Sequence, residues 1–240
     1  ISVNLLHGEN GIIDAEMVEK AIKPAYDWLP RSSLVVIENT CNKGGGSIYT
    51  LDAIRKIRSV CQAKGLALHL DGARLFNALV ETGDTPQSIG AEVDSLSLCL
   101  SKGLGAPVGS LLIGNKAFIT EARRVRKVMG GGMRQAGYLA AAGIYALDHH
   151  VERLKEDHAN ARTLAAALAE LNFVSNIRPV QTNIVIFDLE APLTPTVFLD
   201  FLSKNNVKAS AFGPQTIRFV THLDVSQAMI KEVIAILMNY

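Results

Sequence analysis

Three features of this 240-residue sequence predict an α/β fold, a mostly parallel sheet with helices on both faces, followed by a small C-terminal α+β domain. Short apolar runs alternate with stretches of helical period, the pattern of strands joined by helical crossovers. The links between the early runs are long enough for crossovers, but the link into Ser110–Ile113 is not, so that strand is expected to run antiparallel. Past Leu147 the order of elements changes, which places a boundary near Leu147 to Arg153 and divides the chain into residues 1–150 and 151–240.

The elements follow in order. Asp14 can cap a helix whose apolar face is Val18, Ala21 and Ile22, with Pro24 beyond it. Leu34–Ile37 is fully apolar and suits a strand buried on both faces. Thr50 caps a helix with Leu51, Ile54, Ile57 and Cys61 inward, and Gly65 ends it. Leu66–Leu70 and Ser95–Leu100 read as further strands, with a helix-like stretch and loop over Leu75–Ala91 between them. A helix carrying Arg123, Arg124, Arg126 and Lys127 follows Gly114 and reads as a solvated face. One long helical region is predicted from Tyr138 to Leu171. Beyond it lie a strand at Thr182–Asp188, a helix opened by Thr194-Pro195, and short strands at Val207–Phe212 and Thr216–Val220. A last helix presents Met229, Ile230, Val233, Ile234 and Leu237.

Composition narrows the function. With 24 Lys+Arg against 23 Asp+Glu there is no global field to attract nucleic acid. The sequence is 48% hydrophobic and 20% charged, a globular balance apolar enough to imply a buried subunit interface. No uninterrupted apolar run reaches the ~18 residues of a membrane span. Three cysteines, Cys41, Cys61 and Cys99, cannot pair completely and read as reduced thiols in a cytoplasmic protein. His149, His150 and His158 lack companion ligands at metal-site spacing, so no metal is expected.

Ligands of parallel sheets bind at the carboxyl ends of the strands. Glu38, Asp71 and Lys102 all fall just past such ends. Lys102, alone, reads as a solvated loop residue. Gly103, Gly105 and Gly109 around it imply close backbone approach or positive φ. Together, Lys102 and Asp71 are the two groups that pyridoxal phosphate requires, an amine for its aldehyde and a carboxylate for its pyridinium nitrogen. Burial of Lys102 would lower its pKa and favour the neutral nucleophile. Arg74 is read either as a salt bridge at a helix start or as a contact to cofactor or substrate oxygen. Arg218, in a strand, must be paired if buried, and an amino-acid carboxylate is a good bidentate partner. Arg134, after three glycines, reads as an anion or subunit contact, or as a solvated loop. His69 is expected to be a hydrogen-bonded core histidine.

The segments Val36–Thr40, Leu68–Asn77, Ser97–Ser110, Gly130–Gln135 and Arg218–His222 resemble the low-specificity L-threonine aldolases over essentially the whole chain. That resemblance implies the aspartate-aminotransferase-like fold, fold type I of the pyridoxal-phosphate enzymes. It implies cleavage of L-threonine or L-allo-threonine to glycine and acetaldehyde. Lys102 would bind the cofactor, Asp71 would pair with its ring nitrogen, and Arg74 would contact it. Arg134 would approach the phosphate or the subunit contact, and Arg218 the substrate carboxylate. A homotetramer with shared active sites is also implied. The family carries an N-terminal segment with a phosphate-binding turn, a ring-stacking histidine and a serine, and this chain is expected to begin after it. Cys41 stands where family members often have histidine, and Trp28 aligns with another histidine. Two alternatives remain from the sequence, a β-eliminating lyase on the same fold and a non-catalytic oligomeric remnant.

Overall fold

The computed structural model describes all 240 residues. Capping chemistry sets the early helix ends where the sequence predicts them. α1 (Ala15–Ala21) starts at Asp14, whose carboxylate accepts from the Met17 N–H at 2.8 Å. α2 (Leu51–Lys64) starts at Thr50, whose hydroxyl accepts from the Ala53 N–H, and stops at Gly65 with φ 66°.

β1 (Leu34–Glu38), β2 (Ala67–Gly72) and β3 (Ser95–Cys99) are consecutive parallel neighbours. α2 makes the first crossover, and α3 (Leu75–Thr82) and α4 (Pro86–Gly90) make the second. Both crossovers step the same way across the sheet, so right-handed connection lays their helices on one face. There Ile54, Ile57 and Ile89 pack with Leu68, Leu70, Leu96 and Leu98 in the first core. β4 (Ser110–Gly114) pairs antiparallel with β3.

β1 departs from its expected burial on both faces. Ile37 is buried, but Leu34 and Val36 are 54% and 53% exposed. β1 is an edge strand, and its Val36 lies in register with His69 and Ser95 on the face away from α2. That face stays open at Val36 and, on β4, at Leu112. A run of apolar residues therefore marks a strand without revealing which faces this chain covers.

The expected long helix is two. α5 (Lys116–Val128) precedes α6 (Gly137–His149), and α7 (Leu154–Leu168) follows a break at His150–Arg153. Docking makes the break, since His150 Nδ1 lies 2.6 Å from the Leu104 carbonyl and Leu154 plugs the first core. Neither contact is local, so helical periodicity did not register them.

The second sheet is antiparallel, in the order β5 (Val174–Ile177), β6 (Ile184–Leu189), β8 (Thr216–Val220), β7 (Ser210–Ala211). β5 was not read from the sequence; it is short, irregular against β6, and polar at Ser175 and Asn176. The strand expected over Val207–Phe212 shrinks to the two residues that pair with Arg218 and Ile217. α8 (Pro195–Lys204) and α9 (Gln227–Met238) join α7 around a second core that includes Phe187, Phe198, Leu164 and Leu237. The two sheets are tied together by polar contacts, one buried and one exposed. Thr182 Oγ1 donates to the Gly46 carbonyl at 2.9 Å, and Arg178 Nη1 to the Lys43 carbonyl at 2.5 Å.

Candidate active site

Parallel register brings the first two carboxylates together. Glu38 pairs across with Asp71, and Asp71 with Ser97, so the three side chains share one face at the carboxyl edge of the sheet. Asp71 Oδ1 accepts from the Ala73 N–H at 3.1 Å and from Ser97 Oγ at 3.3 Å. These bonds orient the carboxylate and leave its second oxygen free. Gly72 is required next to it, because a Cβ there would lie 2.6 Å from the Ser97 carbonyl. Burial pushes the Glu38 carboxyl above its usual range; Asp71 adds to that, while Asn42, Arg74 and Lys102 oppose it.

β2 turns into α3 at Arg74, whose side chain folds back over the same edge. Its Nη1 lies 3.5 Å from Asn42 Oδ1. Arg218 arrives from β8 of the other sheet, and its Nη1 donates to that same Asn42 oxygen at 3.0 Å. The Arg218 guanidinium lies 4.7 Å from the Phe212 ring centre, and its Nε is buried with no hydrogen-bond partner. Neither arginine has a carboxylate within 4.0 Å. Burial pulls the Arg74 pKa down and the neighbouring Arg218 charge pulls it further, while Glu38, Cys99 and Asp71 oppose them without reversing the shift. Two half-buried guanidinium groups, neither in a salt bridge and one with an orphaned N–H, are the donor chemistry an anion receptor needs.

Lys102 sits in the turn after β3. The turn is closed by Gly105 N–H to the Lys102 carbonyl at 2.9 Å and by Leu100 N–H to the Gly109 carbonyl at 2.9 Å. Gly105 and Gly109 take φ of 70° and 131°, which explains the glycines seen in the sequence. The Lys102 side chain is exposed and makes no hydrogen bond or ion pair, so the burial expected for it is not found in this chain. Its charge still reaches Glu38 and Cys99. Burial pushes the Cys99 thiol up, but the Ser110 hydroxyl and Lys102 outweigh it and hold the thiol below its usual value.

Other sequence-predicted residues lie apart. Arg134 is exposed in the loop between α5 and α6, with no polar contact to this cluster. His69 makes the expected hydrogen bond, to Ser95 Oγ at 2.8 Å, but it is half-buried on the open face of the sheet and is not part of the core. Cys41 is buried between the carbonyls of Glu38 and Gly11, and burial pushes its thiol up to about 12. Trp28 stacks on Tyr26 with ring centres 4.8 Å apart and is exposed. Asn42, which joins the two arginines, was missed. The available signal was a polar residue four positions past the carboxyl-edge Glu38.

The chemistry of the donor set fits pyridoxal phosphate. A free amine and an oriented carboxylate lie past the ends of neighbouring strands, and Arg74, which meets Arg218 at Asn42, acts with both of them on Glu38. The sequence is similar to low-specificity L-threonine aldolase of Escherichia coli K12, at 41% identity over 94% of this chain and 66% of that protein. It is also similar to low-specificity L-threonine aldolase 1 of Arabidopsis thaliana, at 36% identity over 91% of this chain and 62% of that protein. The chain thus spans somewhat less than two thirds of these relatives' lengths. The solved threonine aldolase of Leishmania major superposes with a TM-score of 0.81 at 22% identity, over 97% of this chain and 68% of that one, and shares the fold. The β-eliminating lyase family matches residues 1–192, and the chain belongs to that family.

Proposed function

We propose that this chain carries most of the active site of a pyridoxal-phosphate lyase that cleaves L-threonine or L-allo-threonine to glycine and acetaldehyde. The carrying observation is the convergence of Asp71, Lys102, Arg74 and Arg218, from both sheets, on one edge. Lys102 would hold the cofactor covalently, Asp71 would face its ring nitrogen, and Arg74 would contact it. When bound, the cofactor supplies an electron sink that stabilises negative charge at the substrate Cα. The protein's own part is orientation. Arg218, with its Nε free, takes the substrate carboxylate, and the Arg74 guanidinium across Asn42 Oδ1 is placed to share it. Ser97 and the Ala73 N–H keep the Asp71 carboxylate aimed. Cys41, bonded to two carbonyls and pushed up to about 12, stays a thiol and supplies no base to the β-hydroxyl.

Arg134 and the exposed Met129, Met133 and Tyr138 around it support a subunit contact, with Arg134 serving the phosphate or that contact. A homotetramer in the cytoplasm, with three free thiols, completes this reading. No helix of the chain is long and apolar enough to cross a membrane. A β-eliminating activity is the second reading, favoured by the family's description.

The test adds pyridoxal phosphate to the purified chain and follows visible absorbance. A band that forms with the wild type and is lost in Lys102→Ala is expected. Acetaldehyde released from threonine, against pyruvate from serine, then decides between aldolase and eliminase. No band, or one untouched by Lys102→Ala, overturns the enzyme reading and leaves a non-catalytic oligomeric chain.

A further inference from the structure

Arg74 and Arg218 present a physical problem that Asn42 solves. Two guanidinium groups held at one point repel each other, and burial deepens the cost. The usual remedy is a carboxylate between them, which satisfies hydrogen bonds and charge together. Here the group between them is an amide oxygen, 3.0 Å from Arg218 and 3.5 Å from Arg74. It accepts from both arginines and neutralises neither. The surplus positive charge is left for a ligand.

Asn42 is also held from behind. Its carbonyl accepts from the Gly45 N–H at 3.2 Å, and the Cys41 carbonyl from Gly46 at 2.8 Å. The second sheet clamps the same loop through Arg178 on the Lys43 carbonyl and Thr182 on the Gly46 carbonyl. Arg218 lies opposite Ile186 on the row that continues toward Arg178, since the Arg178 N–H donates to the Ile186 carbonyl. The loop is thus a fixed post between the two sheets, and Asn42 is its tip.

We propose that Asn42 is the positioning residue for the substrate carboxylate. It aims Arg74 and Arg218 at one point across the junction of the two sheets, and its being an amide rather than an acid keeps that point open to a ligand carboxylate. This rests on the reading of the two arginines as a carboxylate receptor. An aspartate at 42 would be a built-in competitor, placed at high effective concentration where the substrate's own carboxylate binds.

The experiment compares wild type, Asn42→Ala, Asn42→Asp and Arg218→Ala in the cofactor-loaded chain. It reads KM and kcat for L-threonine, glycine affinity by calorimetry, and the melting temperature. Asn42→Ala should raise KM and weaken glycine about tenfold, the loss of a hydrogen bond to a charged group, with kcat little changed. Asn42→Asp should raise KM about a hundredfold or more, as an internal ion pair replaces the ligand's. It should also raise the melting temperature, because the two half-buried cations become paired. A merely structural asparagine predicts the reverse, with Asn42→Asp melting lower and KM within about twofold of wild type; that result overturns the inference. Arg218→Ala separates the two layers. If it leaves KM and glycine affinity unchanged, or if the wild type binds no glycine, the carboxylate receptor itself is wrong and the role of Asn42 goes with it. If Arg218→Ala weakens both while Asn42→Asp does not, the receptor stands and only Asn42 loses its role.

Discussion

Two clusters of charged side chains lie where the two halves of the chain meet, and they are built oppositely. On the α3–α7 side every charge has a partner. His158 places Nδ1 2.5 Å from Glu81 and Nε2 2.9 Å from the Asn77 amide, and Arg162 reaches Glu81 at 3.3 Å. The preceding residue, Asp157, is fully buried and accepts from both Nη groups of Arg153, one turn back, at 2.5 and 3.2 Å. On the other side Arg74 and Arg218 share a single neutral oxygen. The fold therefore pairs the charges at the start of α7, within the helix through Arg153–Asp157 and to α3 through Glu81, and leaves Arg74 and Arg218 without a salt bridge. Half-buried charge without an ionic partner is unfavourable for folding and available for binding.

The contrast can be broken by removing charge from each side. The largest expected effect is at Asp157. Asp157→Ala strands Arg153 and should lower unfolding free energy by about 3–5 kcal/mol, read from urea denaturation. Arg218→Met should act in the opposite sense, keeping or raising stability by about 1 kcal/mol, because it replaces a half-buried cation that has no salt bridge with an apolar side chain of similar length. Equal losses for the two substitutions would erase the distinction.

The smallest effect is the pH response of His158. Burial lowers its pKa from the ordinary 6.5, although Glu81 pulls the other way. The neutral ring is the form the native state prefers, so its contribution is complete above pH 6.5 and declines as pH falls through that value toward the lower folded pKa. Urea midpoints measured between pH 7.5 and 5 should fall in this window, and less so in His158→Gln. The acid side adds Glu81, held below its usual range because hydrogen bonds from His158 and Arg162 outweigh its burial. Its share is lost only below the ordinary carboxylate value near 4.5.

Much of this was legible beforehand. Asp14, Thr50 and Thr194 cap helices where their side chains predict, because capping is decided within four residues. The antiparallel turn of β4 followed from the length of its connection alone. Asp71, Arg74, Lys102 and Arg218 could be singled out as polar groups at strand ends or within an apolar strand. Their juxtaposition across two sheets could not be read from spacing, since Arg218 and Asn42 are separated by 176 residues in the chain.

What the sequence alone determined is the set of local elements and the chemical types placed at their ends: strand runs, caps, glycine turns, a lysine and a carboxylate past two strands. Those depend on backbone dihedral preferences and hydrophobic period, which act over a few residues. Only the tertiary structure decided that β1 keeps one open face, that His150 and Leu154 break the long helix, and that Lys102 is exposed here. It also decided that an asparagine, rather than an acid, stands between two arginines. Each of these depends on what a distant part of the chain brings into contact, and on whether charge arriving there is cancelled or left for a ligand.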